Sequence, residues 1–445
     1  MKFSNLWILS ILMIGIIALG GCSGSAPSDA EGKRDAEDVT LTVSISQWDP
    51  DYCIPELQKL IHEYGEEKNI NIELVDYFEK YGEGAPQKLS AEFMSGRGPD
   101  ILMNPGMCFF SVDIHKIMSS GVFADLGPLL DLEGKENRYF TKVLDSGKYK
   151  GKQLIVPLFF GIKNFVSTQN VLEENHFDIN QCDTCDGLLD QFNNCLNSTA
   201  APPLLIYEHR CDLLFLSDAV CVPPVIDYDN RTVDFSQPEV RKTYEFTKKF
   251  MEQYPLSPYG ENYDTPWGVD GAEHFGILES GRALLVPGFG EGGYPTMDSL
   301  FFLTQWIDET DRPVMIPLRR ASDDSIITYE KVSMAVNRNS GHIEEAAEFI
   351  KYCLSGIVQC TYFDLYMPVY RQGIEARIEK YWGEHPSKYL SSLYRGIAND
   401  AGAMQFNWQI PITMYEMMEP YYLDKESYDS CISKAENKFS IFVDE

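Results

Sequence analysis

The glycines of ALLVPGFGEGGYP, residues 283–295, are spaced as Gly288-x-Gly290-x-x-Gly293 directly after an apolar run. That is the spacing of a dinucleotide fingerprint, in which glycines turn a strand tightly into a helix whose N-terminal amides hold a pyrophosphate. Here Tyr294-Pro295 follows at once, and Glu291 would set a negative charge inside the cradle. The segment reads as a loop kept small for another guest, and no cofactor is expected.

Other constellations invite metal or hydrolytic chemistry and fall short of it. Cys182-Asp183-Thr184-Cys185 has the gap of zinc and redox motifs, but no second such pair follows and no strand–helix–strand pattern precedes it. Five of the eleven cysteines, Cys182, Cys185, Cys195, Cys211 and Cys221, crowd into this region. A metal site, local disulfides and unpaired thiols are all open readings of that cluster. His62-Glu63 lacks the second His, four residues on, of a zinc-protease helix. DYDNRTVDF, residues 227–235, begins like a calcium loop, yet Arg231 takes the fifth position and the needed glycine is missing. It reads as a turn at Asp229-Asn230 followed by a strand. A glycosidase would need a carboxylate pair roughly 5–10 Å apart across a cleft, and no arrangement of acids marks such a pair.

The start of the chain suggests a compartment. Lys2 precedes the apolar stretch Leu6–Leu19, which runs into LGGC, residues 19–22, the cleavage pattern of a bacterial lipoprotein signal peptide. Residues 1–21 are expected to be removed, leaving Cys22 to carry a lipid on the outer face of the cytoplasmic membrane of a bacterium, at a Gram-positive cell surface. Residues 22–38 are small and polar and form a flexible tether. No other apolar run is long enough to span a bilayer. Without the leader, 424 residues are left, many for one core, which suggests two lobes. A net charge of −30 argues against nucleic acid or anionic lipid as a partner. Aromatic residues make up 13% of the chain, an excess that stacking surfaces for a ligand could use.

Behind these residues stands an α/β pattern. Leu41, Val43 and Ile45 alternate as a strand, and Pro55 starts a helix with Leu57, Leu60, Ile61 and Tyr64 on one face. A strand with Ile70, Ile72 and Leu74 follows, then a helix bearing Leu89 and Phe93, the breaker SGRGP, and the short strand DILMN. That order is the signature of an open, parallel α/β sheet. Ligands bind beyond the carboxyl ends of such strands, which puts Trp48-Asp49 and Asn104 to Met107 on one rim. KGKQLIVPLFF reads as a turn and a strand broken by Pro157, and PPLLIYEH as a further strand. Ser236 and Glu239 have capping-box spacing before a helix with Val240, Tyr244, Thr247 and Met251 on one face. Ile343, Ala346, Ala347, Ile350 and Leu354 mark a buried helix, and the chain from about 373 on is helical or irregular.

The lipobox, Trp48 after the first strand, MSGRGPDILM (94–103), YKGKQLIVPLFF (149–160), VDFSQPEVRKTYEF (233–246), FGILESGRALLVPGFG (275–290), YEKVSMAVNRNSGHIEEAAEFIKYCLS (329–355) and MPVYRQGIEA (367–376) agree in order with one family. The chain resembles the extracellular solute-binding proteins of ABC sugar importers, in the carbohydrate-binding group related to maltose-binding protein. The resemblance implies two α/β lobes joined by hinge-crossing strands, a ligand cleft between them, and no enzymatic activity. Crossings are expected near Val156–Phe160 and Tyr329–Val336. The N-terminal lobe would hold 39–157 plus 330–378, and the C-terminal lobe 158–329 plus 379–445. The implied partners are a carbohydrate, ABC permease subunits and, through Cys22, the membrane; the protein itself would be a monomer.

A sugar offers a face of C–H bonds to aromatic rings and a rim of hydroxyls to polar groups. Candidate contacts are Trp48 and Asp49 after the first strand, Asn104 after the third, and Phe159 and Phe160 at the first crossing. Arg210 ends a second-lobe strand, Trp267 lies in a loop or loop-flanking segment, Trp408 lies in the tail, and Phe289 and Gly290 stand on the glycine loop. Core roles compete at Trp48, Trp267, Trp306, Trp382 and Trp408, and one of Phe159 and Phe160 is expected in the core. Asp100 reads as a brace for the sheet. Asn104, Gly106 and Met107 replace an aromatic and a carboxylate of maltose-binding relatives, which points to a different solute. Two other functions compete: the same scaffold holding a peptide, polyamine or organic ion, and a surface glycosidase.

Overall fold

Pro157, a residue that removes a ladder donor, lies within a buried seven-residue strand, and the register shows how it is tolerated. It sits opposite Ser333 where the pairing with the neighbouring strand slips out of register, the kind of irregularity at which a sheet accepts proline. The expected break at Pro157 is therefore absent. A computed structural model describes residues 39–45, 53–109, 113–197, 204–206, 226–227, 230–253, 283–287, 312–383, 388–406 and 409–444. All of them fall in one compact unit, residues 38–445.

The strands run in chain order as follows. β1 (Thr40–Ile45), β2 (Asn71–Asp76) and β3 (Ile101–Met103) come first, then the hairpin β4 (Lys148–Tyr149) and β5 (Lys152–Gln153). β6 (Val156–Ile162) and β7 (Asn164–Thr168) are separated by Lys163 alone, and β8 (Leu204–Ile206) follows. β9 (Ile226–Asp227) and β10 (Thr232–Val233) form a hairpin whose turn is held by Asp227 accepting from the Asn230 amides. β11 (Ala283–Pro287), β12 (Pro313–Pro317), β13 (Ile326–Val336), β14 (Met367–Pro368) and β15 (Ala401–Gln405) complete the set.

Two sheets carry the architecture. The first has the order β14-β6-β13-β3-β1-β2, with β15 also paired to β13, and the second the order β12-β7-β11-β8. β1 is parallel to both β2 and β3, as the alternating strands and helices of the sequence require. Leu41 and Val43 enter the core together with Leu57, Leu60 and Tyr64 of the helix Cys53–Lys68, and with Leu89 and Phe93 of the helix Ala85–Met94. Asp100 braces this layer, accepting from the Thr42 amide and hydroxyl and from the Ser340 hydroxyl at 2.8, 2.8 and 2.6 Å.

The second sheet packs Phe165, Leu284, Leu285, Val314 and Ile316 against the helix Cys185–Leu196. The helix Pro238–Gln253 divides its faces. Phe246 and Phe250 join that cluster, while Val240 and Tyr244 meet Ile410, Met414 and Met418 of the C-terminal helices. Its start departs from the expected capping box: Pro238 opens the helix and the Ser236 hydroxyl donates to Asp234.

The chain passes between the lobes three times. It does so at Lys163 between β6 and β7, through residues 318–325 between β12 and β13, and after β15, beyond which the helix Gln409–Tyr422 packs into the second lobe. The two expected crossings thus shift. Val156–Phe160 and Tyr329–Val336 lie wholly inside the first sheet, and the third crossing, β15, was expected to be helical or irregular. Both shifted strands are buried along their whole length, so no alternation marks where they leave the sheet. Phe159, Phe160, Leu390, Tyr394, Ile397 and Met404 pack in the same core cluster as the strands of the first sheet. Trp382 takes its core role beside Tyr394, with ring centroids 6.0 Å apart.

Candidate functional site

The three crossings meet around Lys163. Its amide donates to Ile327 O at 3.3 Å and its carbonyl accepts from Leu318 N at 2.8 Å, while Ile327 N donates to Leu318 O at 2.9 Å. Tyr329 on β13 donates its hydroxyl to Ile162 O at 2.9 Å. Gly161 makes room for this: a Cβ there would stand 2.9 Å from the Tyr329 ring and 3.1 Å from Lys331 Cε. Lys163 and Lys331 are both buried, with ammonium nitrogens 5.9 and 5.5 Å from the Tyr329 ring centroid; Lys331 also lies 5.3 Å from that of Tyr366. Cation–π attraction of this kind strengthens away from water. Gln405, at the end of β15, pairs in register with Tyr329 and brings the third crossing to the same place.

The second crossing is tied to the third. Arg320 donates from Nη2 to Ala403 O, and Arg319 reaches Asp400 at 2.9 Å. Burial pulls the Arg320 guanidinium down to about 10. Asp323 caps the turn by accepting from the Ser325 amide and hydroxyl. Its partial burial favours the neutral acid, but these bonds and the nearby Arg320 charge prevail and hold the carboxyl below its ordinary value.

The carboxyl end of β3 points toward this junction but is closed. Asn104 adopts a left-handed conformation (φ 49°), donates its amide to Ser333 O and accepts from Ser333 N on its side-chain oxygen, both at 2.9 Å. Glu330, buried on β13, receives Met107 N at 3.1 Å, Gly106 N at 3.4 Å and the Ser333 hydroxyl. Asn104 therefore pins the loop to β13. Phe159 and Phe160, both expected as candidate contacts, are buried on β6. β6 is central in the sheet, so one ring packs on Phe363 at 5.0 Å and the other edge-on to Phe140 at 6.3 Å; both are fully buried. Trp48, Asp49, Arg210, Trp267, Phe289, Gly290, Trp408 and Cys22 lie outside the described residues.

Sequence reasoning passed over Lys163, Asn164, Lys331 and Gln405. One signal was available: Lys163-Asn164 interrupts VPLFFGIKNFV, otherwise an unbroken apolar run. Two polar residues inside a buried run mark a special location. The cysteine cluster has no such role in the described part. Cys182, Cys185 and Cys195 are unbridged, and burial pushes their thiols up to about 12, 12 and 11. Among the described residues no group of three or more His, Cys, Asp or Glu is placed to hold a metal ion, and no helix is long and apolar enough to cross a membrane.

Two sheets linked by three crossings are the architecture of the two-lobed solute-binding proteins, and solved structures agree. The chain is similar to the cyclic α-maltosyl-1,6-maltose binding protein from Arthrobacter globiformis, with a TM-score of 0.63, 18% identity, and coverage of 92% of this chain and 99% of that one. It is similar to the sugar-binding protein MalE from Xanthomonas citri, with a TM-score of 0.62, 14% identity, and coverage of 91% and 97%. An ABC transporter solute-binding protein from Thermotoga lettingae, bound with α-D-tagatose, gives 0.58, 16%, 91% and 100%. No family model and no curated protein matches the chain. At these identities the likeness establishes the fold: a two-lobed α/β periplasmic-binding-protein fold spanning nearly the whole of each relative.

Proposed function

We propose that this protein captures a carbohydrate between its lobes and delivers it to the permease of an ABC transporter, without catalysing a reaction. The observation that carries the reading is the junction itself. Buried Lys163, Asn164, Lys331 and Tyr329 cluster where the three crossings meet, and these groups suit the hydroxyl rim and C–H face of a sugar. The name of the Arthrobacter binding protein and the tagatose bound to the Thermotoga protein add support through the shared fold. Lipid attachment at Cys22 and an outward-facing position complete the proposal and rest on the LGGC segment.

The contacts we propose follow strand ends near the junction. Trp48 and Asp49 come after β1, which is parallel to β3 and ends at the same edge. Phe289 and Gly290 follow β11, whose Pro287 pairs with Phe165. Arg210 follows β8, parallel to β11, and Trp408 follows β15. Trp267 rests on residue type alone. A thermal-shift and calorimetry panel of mono- and oligosaccharides tests the reading. A cognate sugar at a hundred times its Kd should stabilise the protein by about 2.7 kcal/mol. Neither a shift nor heat from any sugar, on folded protein, would refute it.

A further inference from the structure

Asn164 opens β7 directly after the first crossing and is only 5% exposed, yet neither its amide nitrogen nor its amide oxygen has a hydrogen-bond partner. An unpaired buried amide costs free energy that a folded chain ordinarily recovers with a hydrogen bond. Apolar replacements that fit are common in sheets, so a polar group kept here calls for a partner from outside the chain.

Its orientation follows from the strand. Successive residues of β7 face opposite sides. Phe165 belongs to the second-lobe core, whereas Val166, two residues from Asn164, packs with the first-lobe core. The Asn164 amide therefore shares the face turned away from the second-lobe core, at the end of the strand where the lobes join. Lys163 precedes it, Pro317 of β12 pairs with it, and on its other side β11 ends at Pro287 opposite Phe165. The glycine-rich segment 288–293 follows that end in sequence.

We infer that Asn164 is a specificity-determining contact whose amide both donates to and accepts from adjacent hydroxyls of the bound saccharide; this deepens, and rests on, the carbohydrate reading above. An amide offers both roles within one planar group, which matches neighbouring hydroxyls on a sugar ring. A solute lacking that pair leaves the buried amide unsatisfied and is rejected.

The test uses Asn164→Leu in the full chain, with the best sugar from the panel. The expected result is an affinity weaker by about tenfold to a hundredfold, together with a free-protein melting temperature equal to or above that of the wild type. An amide kept for the fold would do the opposite, and a lowered free-protein melting temperature with the affinity loss overturns the assignment. Unchanged affinity overturns it as well while leaving the carbohydrate reading intact. A wild-type protein silent to every sugar removes the carbohydrate reading and this contact together, an outcome distinct from the other two. Should Asn164→Leu fail to fold, Asn164→Ala is read by the same two measurements.

Discussion

At Gly106 the absence of a side chain decides the geometry of the rim loop. A Cβ there would lie 2.5 Å from Phe406 O and 2.6 Å from Glu330 Oε2. Backbone and a buried carboxylate cannot both yield, so Gly106→Ala should destabilise the protein by about 1–3 kcal/mol, the usual cost of overpacking. Urea unfolding measures it, and a midpoint unchanged from wild type would show that the loop relaxes freely. The same corner explains why residue type misleads. Asn104 reads as a sugar contact because its amide suits hydroxyls, while its left-handed backbone and paired Ser333 bonds tie it to β13. Asn164 carries the same amide without such bonds, and the residue type alone does not separate the two.

Among the elements, those with strong periodicity were legible and those without it were not. The helices at Cys53–Lys68, Ala85–Met94 and Ile343–Cys353 bury the apolar stripes that their spacing predicts. β15 was missed because AGAMQ has neither β-branched residues nor alternation, and it forms a strand only because β13 lies beside it. The turn between β12 and β13 has a pH dependence of definite sign. Asp323 holds its carboxyl below the ordinary value of 3.8, so its contribution to stability is complete above that pH and is lost as pH falls through the lower folded value. Melting temperatures from pH 6 to pH 3 should show Asp323→Asn less stable than wild type at the upper end and the gap closing toward the lower end. A gap constant with pH would contradict the assignment.

For the whole molecule, backbone hydrogen bonds among Lys163, Leu318 and Ile327 join the first two crossings, and the Tyr329–Gln405 pairing sets the third beside them, so relative motion of the lobes should be confined to a short axis. Ligand between the lobes should then draw them together as nearly rigid bodies. Small-angle scattering with a cognate sugar should give a smaller radius of gyration, and an unchanged radius at saturation would deny closure. The α/β class and the existence of crossings could be read from motif order; their positions could not, since β6 and β13 are buried on both faces and no alternation marks their ends.

β13 has one more consequence, for how the molecule is made. It alone lies between β3 and β6, so the first sheet stays in two pieces until residues 326–336 have been synthesised. Contacts spanning over two hundred residues close slowly. The growing chain therefore has no early route to a finished first lobe, and that part of a nascent chain stopped before Ile326 should remain sensitive to protease.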